Sequence, residues 1–275
     1  MLPRFEQFIT ERRYLMNVSP ATLNWYTHAL KWMPSENPTQ DELNAMVCRM
    51  REQGLKATGC NAATRAINAY LKWSSSACHL KPMKEPQFIP ETFAAEQIQL
   101  LVSFKPKKFY ERRLHLLCLL LLDTGARISE ALTLHVADVD LDNLLITLMG
   151  KGGKQRRVPF SMELRRALFS YIKDCEPRDY LLARQGVDGR KLGRGTALHE
   201  VKRLCVRLGF APPARTLHAF RHTFAVNYLR RGGSTFHLQK MLGHSSLEMT
   251  RRYASLLTSD LQEVHQRISL LSRAA

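Results

Sequence analysis

Residues 242–256 read LGHSSLEMTRRYASL, which sets a phenol, Tyr253, nine positions after an imidazole, His244. Working outward, His244 lies twenty-three positions after Arg221 in the run LHAFRHTFAVNYL, which also holds His218. Further upstream are Arg127 in TGARISEALTL and Lys151 in GKGGKQRRVPF. Taken from these four runs, Tyr253, Arg127, Arg221, Lys151, His218 and His244 make a set of one phenolic nucleophile, two guanidinium groups, one ammonium and two imidazoles. That set is equipped to attack a phosphodiester without a metal.

Composition points the same way. The chain has 275 residues, with 41 Lys and Arg against 24 Asp and Glu, a formal charge of +17 and a pI near 10.0. Such an excess implies a polyanionic partner, with nucleic acid the leading class. It does not sit in a tail: residues 1–85 carry 11 − 7 = +4 and the remainder 30 − 17 = +13. At 45% hydrophobic residues the chain can bury a sizeable core, and its length suits two modest domains. The longest apolar run, 116–122, is too short to span a bilayer, and the first residues lead into an amphipathic segment without a signal-peptide pattern. Six scattered cysteines form no CxxC pair and no Cys/His cluster, so they read as reduced thiols without a metal. The expected setting is cytoplasmic, associated with the nucleoid when bound to DNA, with no membrane partner.

Residues 1–80 read as a helical bundle and a DNA-binding domain. Phe5, Phe8 and Ile9 share one face; Ser19-Pro20 opens a helix carrying Leu23, Tyr26 and Leu30; Thr39 and Glu42 form a capping box; and Gly54 ends the third helix. A fourth turns Ile67, Tyr70 and Leu71 inward and presents Asn61, Arg65, Asn68 and Lys72 for phosphates or base edges, or as a solvated face. Residues 81–91, with three prolines in ten positions, read as a linker. From 92 to 275 a second domain begins with helices holding Ile98, Leu101 and Val102, then 114–122. Strands at 144–148 and 156–158 place Lys151 at a hairpin tip, with Lys154 and Arg156 as further DNA contacts. Ser161 and Thr196 are expected helix caps. Ser259 caps a last helix, 259–272, whose Leu261, Val264, Ile268 and Leu271 form an apolar stripe suited to docking.

Chemistry assigns roles to the set. A phenol with a pKa of about 10 is roughly one part in a thousand ionised at neutral pH, so Tyr253 needs a base or a positive field. Arg127 and Arg221 can supply that field and grip phosphate oxygens bidentately. Lys151 suits protonation of the leaving oxygen, with Lys154 a rival on the same turn. His218 suits acid/base work, and His244 a hydrogen bond to a phosphate oxygen. Taken singly, a His beside Phe or Leu is usually a packed residue, and His222, His115, His135 and His28 are read that way; Tyr228 is read as packing too.

The four runs, in this order and spacing, resemble the tyrosine recombinases, or phage-type integrases, including the Xer proteins, over nearly the whole chain. That resemblance implies a catalytic set of Arg127, Lys151, His218, Arg221, His244 and Tyr253. It also implies a mainly α, two-domain C-shaped clamp: an N-terminal helical bundle and a mostly α catalytic domain with a small antiparallel β-sheet. The implied chemistry is conservative strand exchange through a 3′-phosphotyrosyl intermediate and a Holliday junction, needing neither cofactor nor metal. Implied partners are duplex DNA with an inverted-repeat core site and a homotetramer on paired sites, monomeric or weakly associated without DNA, with an accessory DNA-bending protein as an optional addition. Phe220 replaces a more usual leucine at an expected inward position, and the expectation is of a member without an arm-binding domain ahead of the bundle. Integration, excision and resolution of a mobile element or replicon dimer are all compatible roles. The alternatives are a type IB topoisomerase-like nicking-closing enzyme and a non-catalytic DNA-binding protein.

Overall fold

The computed structural model describes residues 2–85, 90–150, 153–177, 179–183, 190–244, 250 and 253. Lys151 and the helix expected at 259–272 lie outside the described residues. The described chain is mostly helical with one small antiparallel sheet, and it divides into two compact units, Met1–Phe88 and Ile89–Ala275.

In the first unit, α1 (Pro3–Tyr14), α2 (Pro20–Leu30), α3 (Gln40–Glu52) and α4 (Ala57–Trp73) follow local signals in the sequence. Ser19 caps α2 by accepting from the Thr22 amide, and Thr39 and Glu42 cap α3 reciprocally. Phe5, Phe8, Leu43, Met46, Met50, Ile67 and Tyr70 form the core, with Phe8 and Tyr70 edge to face at 5.5 Å. The Tyr70 hydroxyl donates to the Glu36 carbonyl (2.9 Å), so even this buried polar tip is satisfied.

Two amides on α4 hold the chain that follows it. Asn68 donates to the Leu80 carbonyl (2.8 Å) and accepts from the Leu80 amide (3.0 Å). Asn61 does the same with Met83 (2.8 Å both ways) and also donates to Glu85 (2.7 Å). Each side-chain amide thereby imitates a neighbouring strand. The start of the proline-rich stretch, read from sequence as linker, is fastened along α4.

In the second unit, α6 (Phe109–Thr124) is central, packed among α5 (Ala95–Ser103), α8 (Met162–Cys175), α9 (Arg194–Arg207) and α10 (Thr216–Arg230). Leu116, Leu117, Cys118, Leu120 and Leu121 are all buried, which explains why that run carries no polar face. The sheet order is β1 (Val139–Asp140), β2 (Leu145–Met149), β3 (Gln155–Pro159), with Ile146 opposite both Val139 and Val158. Short α7 (Ile128–Leu132) precedes the sheet, and α11 (Thr235–Leu242) follows α10. Phe220 is fully buried against Phe93 (4.6 Å between ring centroids).

Three details depart from the sequence reading. Val102 is exposed, because a nine-residue helix turns only Leu101 fully inward at that end. α9 starts at Arg194 behind Gly193, so Thr196 lies in its first turn and is not the cap. β1 is a third strand of two residues, too short to show a period. The six cysteines are free thiols. Among the described residues no helix is long and apolar enough to cross a membrane.

Candidate active site

Thr124 and Gly125 end α6. Thr124 Oγ1 donates to the Leu120 carbonyl (2.6 Å) and accepts from the Ala126 amide (3.2 Å), and Gly125 adopts the left-handed conformation (φ +61°). The chain reverses there and delivers Arg127 to the start of α7. Its backbone amide donates to Glu130 (2.7 Å) and its guanidinium to the same carboxylate (2.9 Å).

Glu130 is 3% exposed and also takes a two-pronged ion pair from Arg156 on β3 (2.8 and 2.7 Å). Burial pushes its pKa up, but the Arg156 hydrogen bonds and those from Arg127 outweigh it, leaving the carboxyl below its ordinary value and ionised. Sequence reading missed Glu130. The signal was its position three residues after Arg127, where a carboxylate caps a helix start.

The far side of this cluster is the C-terminus of α11. Arg156 donates to the Met241 carbonyl (2.7 Å), Arg221 to Leu242 (2.6 Å), and Arg127 to Leu242 (3.3 Å) and Gly243 (3.4 Å). A helix end leaves carbonyls without intrahelical donors and concentrates partial negative charge. Three guanidinium groups from three elements meet that need and fix the residue that follows. Arg221 also donates to the Gly125 carbonyl (2.9 Å), tying the turn before Arg127 to α11. Arg221 is 6% exposed, whereas the Arg127 side chain is 36% exposed and turns part of its donor edge outward. Burial, and then Arg127, push Arg221 down to about 10, opposed by Glu130 and Tyr253, so it remains a cation at neutral pH.

Gly243, left-handed at φ +62°, turns the chain into His244, whose Nδ1 lies 2.9 Å from Thr250 Oγ1. The Tyr253 ring runs nearly parallel to that imidazole, 6.2 Å away and 10° inclined. Tyr253 is 5% exposed among Ala225, Val226, Leu238 and Leu242. Its hydroxyl meets His222 Nδ1 at 2.9 Å. His222 was read as packing, and here the structure corrects that reading. Residues 218, 221 and 222 stand at i, i+3 and i+4, the spacing of one helical face, and that pattern was available in the sequence.

His218 is exposed, with Nε2 3.5 Å from Arg194. All three imidazoles are biased to the neutral form. Burial and then His218, Arg221 and Arg215 take His222 down to about 4; burial and then Arg221, Arg127, Arg156 and His222 do the same for His244; burial and then Arg194, Arg215 and Arg221 lower His218. The site therefore offers fixed cations, neutral imidazoles and a phenol, a combination suited to an anionic electrophile.

The sequence-chosen DNA contacts divide. Arg65, Lys72 and Lys154 are exposed. Asn61 and Asn68 spend their amides on the chain itself, and Arg156 spends its guanidinium on Glu130 and Met241, so these three serve the fold rather than an open surface.

The tyrosine recombinase XerA of Pyrococcus furiosus is 29% identical over 275 residues, covering 97% of this chain and 94% of the relative. The Tn1549 transposon integrase in complex with transposon right end DNA has the same fold, with a TM-score of 0.77 at 20% identity, covering 97% of this chain and 99% of that one. A lambda integrase tetramer bound to a Holliday junction superposes with a TM-score of 0.70 at 18% identity, covering 92% and 75%. The profile described as the phage integrase family matches residues 91–259, which hold all four motif runs in full, and this chain belongs to that family.

Proposed function

We propose that this chain is a site-specific DNA recombinase that cleaves and rejoins strands through Tyr253. The observation that carries the reading is the convergence of Arg127 and Arg221 on the Leu242 carbonyl beside His244 and Tyr253. The Tyr253 oxygen attacks a backbone phosphorus, giving a 3′-phosphotyrosyl bond and a free 5′-hydroxyl. Arg127 and Arg221 hold the non-bridging oxygens, and His244 adds a hydrogen bond. His218 lies at the edge of the site for proton traffic, and Lys151 is the acid for the departing 5′-oxygen. That hydroxyl then attacks a partner's phosphotyrosyl bond, conserving bond energy throughout.

The partner is duplex DNA with an inverted-repeat core, acted on by four copies of the chain in the cytoplasm. Support comes from the DNA-bound and tetrameric states of the solved relatives and from the net charge of +17. The test is a nicked suicide duplex whose sequence is first enriched from a randomised pool by covalent capture on the parent protein. Tyr253→Phe is expected to form no covalent adduct while binding that duplex within about twofold of the parent, since affinity comes from many phosphate contacts. Adduct on the Phe variant, or none on the parent with any duplex, overturns the reading. Lys151→Ala is expected to slow cleavage of the ordinary substrate far more than that of a 5′-thio bridging substrate, because sulfur leaves without a proton.

A further inference from the structure

Resting on the reading of Arg127, Arg221 and His244 as the clamp on the scissile phosphate, we infer that Arg156 is a positioning residue for that clamp. It meets no phosphate itself and acts by holding Glu130 and the C-terminus of α11, which carry Arg127 and His244. Three nitrogens of one guanidinium make the connection. Nη1 and Nη2 donate to the two oxygens of Glu130 (2.8 and 2.7 Å), and Nε donates to the Met241 carbonyl (2.7 Å). Glu130 in turn takes the backbone amide and the guanidinium of Arg127 (2.7 and 2.9 Å). One planar group thus joins β3 to the start of α7 and to the end of α11, and a rigid fork can serve a carboxylate and a carbonyl at once.

Packing supplies a second, independent observation. A methyl group at Gly243 would stand 3.1 Å from Arg156 Cδ and 3.2 Å from its Nη1, so the residue just before His244 rests directly on this side chain. On the hairpin, Arg156 pairs with Leu148, and a methyl group at Gly150 would come within 3.8 Å of the same Nη1. Burial separates the arginines: the Arg156 side chain is 13% exposed against 36% for Arg127, so the outward donor edge belongs to Arg127. Arg127 also reaches the helix end, at the Leu242 and Gly243 carbonyls (3.3 and 3.4 Å). Those bonds are longer than the 2.7 Å contact from Arg156, which therefore sets more of the register between α11 and α7.

The test uses the full chain and the enriched suicide duplex. Arg156→Lys keeps the positive charge that faces His244 and Arg221 but cannot serve Glu130 and Met241 together. It is expected to cleave about a hundredfold more slowly than the parent at saturating duplex, the usual cost of misplacing reacting groups by about 1 Å, while binding within about twofold. The same deficit is expected on the 5′-thio substrate, because the clamp is displaced and not the leaving-group acid. Combined with Arg127→Ala, it should slow cleavage by much less than the product of the two separate losses, since part of its effect passes through Arg127. Parent-like cleavage, rescue by the thio substrate, or losses that multiply in full each overturn the inference.

Two further measurements keep the outcome decisive. Leu168→Ala opens a cavity under α8, where that side chain is fully buried, and so weakens folding without touching the clamp. It is expected to cleave like the parent at a temperature where it stays folded; a loss equal to that of Arg156→Lys assigns the effect to weakened folding and overturns the inference. A crystal structure of Tyr253→Phe with the duplex decides the matter even where Arg156→Lys does not fold. Arg156 is expected on Glu130 and Met241 with no DNA contact, and an Arg156 nitrogen within hydrogen-bond distance of a phosphate overturns the inference. The recombinase reading stands or falls separately, on adduct with the parent and none with Tyr253→Phe, so fast cleavage by Arg156→Lys beside a silent Phe variant removes only the role given to Arg156.

Discussion

Glu130 holds two arginines with one carboxylate, and nearly all of its side chain is out of water. Removing its charge strands Arg156, itself only 13% exposed. Glu130→Gln should therefore lower unfolding stability by about 3 kcal/mol in a urea melt at pH 7, the usual cost of breaking a buried pair from one side. Because the folded carboxyl titrates below its ordinary 4.5, its stabilisation is complete above that pH and fades as pH falls through the lowered value. The gap between parent and Glu130→Gln should close in acid; a gap unchanged down to pH 2 refutes the assignment. The imidazoles give a second window. His222 and His244 have an ordinary value of 6.5 and are held near 4, so between those values the unfolded chain binds protons that the folded site refuses. Stability from these groups is complete above 6.5 and is lost as pH falls toward 4, by about 1–3 kcal/mol each after allowance for partial exposure. His244→Asn should flatten that part of the urea-midpoint profile. At this scale the sequence was legible where residue type dictates chemistry, as with Tyr253 and the two arginines. It was less so for His222 and Arg156, whose partners lie 31 and 85 positions away and whose type fits a core or a DNA surface equally well.

Elements were most legible where a local signal closes on itself. The Thr39–Glu42 capping box needs only four residues to form, and Ser19 and Ser161 cap by the same logic. The C-terminus of α11 is the opposite case: its carbonyls are served by arginines from β3, α7 and α10, so nothing within 235–242 announces the arrangement. β1 and the start of α9 were hidden for a related reason, since a two-residue strand and a glycine-capped helix carry no periodic mark. The turn at Gly125 is where element geometry and site geometry meet. It needs φ +61°, and a methyl group there would stand on the Phe224 ring and 2.9 Å from Leu242. Gly125→Ala should cost about 2–4 kcal/mol, combining left-handed strain with overpacking, and should slow strand cleavage by shifting the carbonyl that Arg221 holds. Gly153 is the control on the hairpin, with φ +74° and open space around it, so Gly153→Ala should cost about 1 kcal/mol, the backbone strain alone. Equal losses for the two in thermal melts contradict this account of the turn.

Over the whole molecule, charge and core follow different divisions of labour. Each unit has its own buried cluster: Phe5, Phe8, Met46 and Tyr70 in the first, and the α6 leucines in the second. Each therefore has the means to fold by itself. Charge is uneven, with 11 − 7 = +4 over residues 1–88 and 30 − 17 = +13 over residues 89–275. Binding to a polyanion releases counterions in proportion to the phosphates contacted, so the logarithm of affinity falls linearly with the logarithm of salt, by about 0.9 per contact. If the excess charge faces DNA, the salt slope measured with residues 89–275 alone should be well above half that of the full chain, and residues 1–88 should contribute the smaller part. The comparison needs fragments that fold, which circular dichroism and a cooperative melt establish for each before any titration. Substitution separates surface charge from internal charge within this picture. Lys154→Ala removes an exposed cation and should reduce the slope by about one if it meets a phosphate, whereas Arg156→Lys should leave the slope unchanged while lowering stability, because that guanidinium is spent on Glu130 and the α11 carbonyl. A slope that drops for Arg156→Lys in a protein of undiminished stability would mean the guanidinium leaves Glu130 for DNA, and the cluster that orients Arg127 would then have to be rebuilt around a different ion pair.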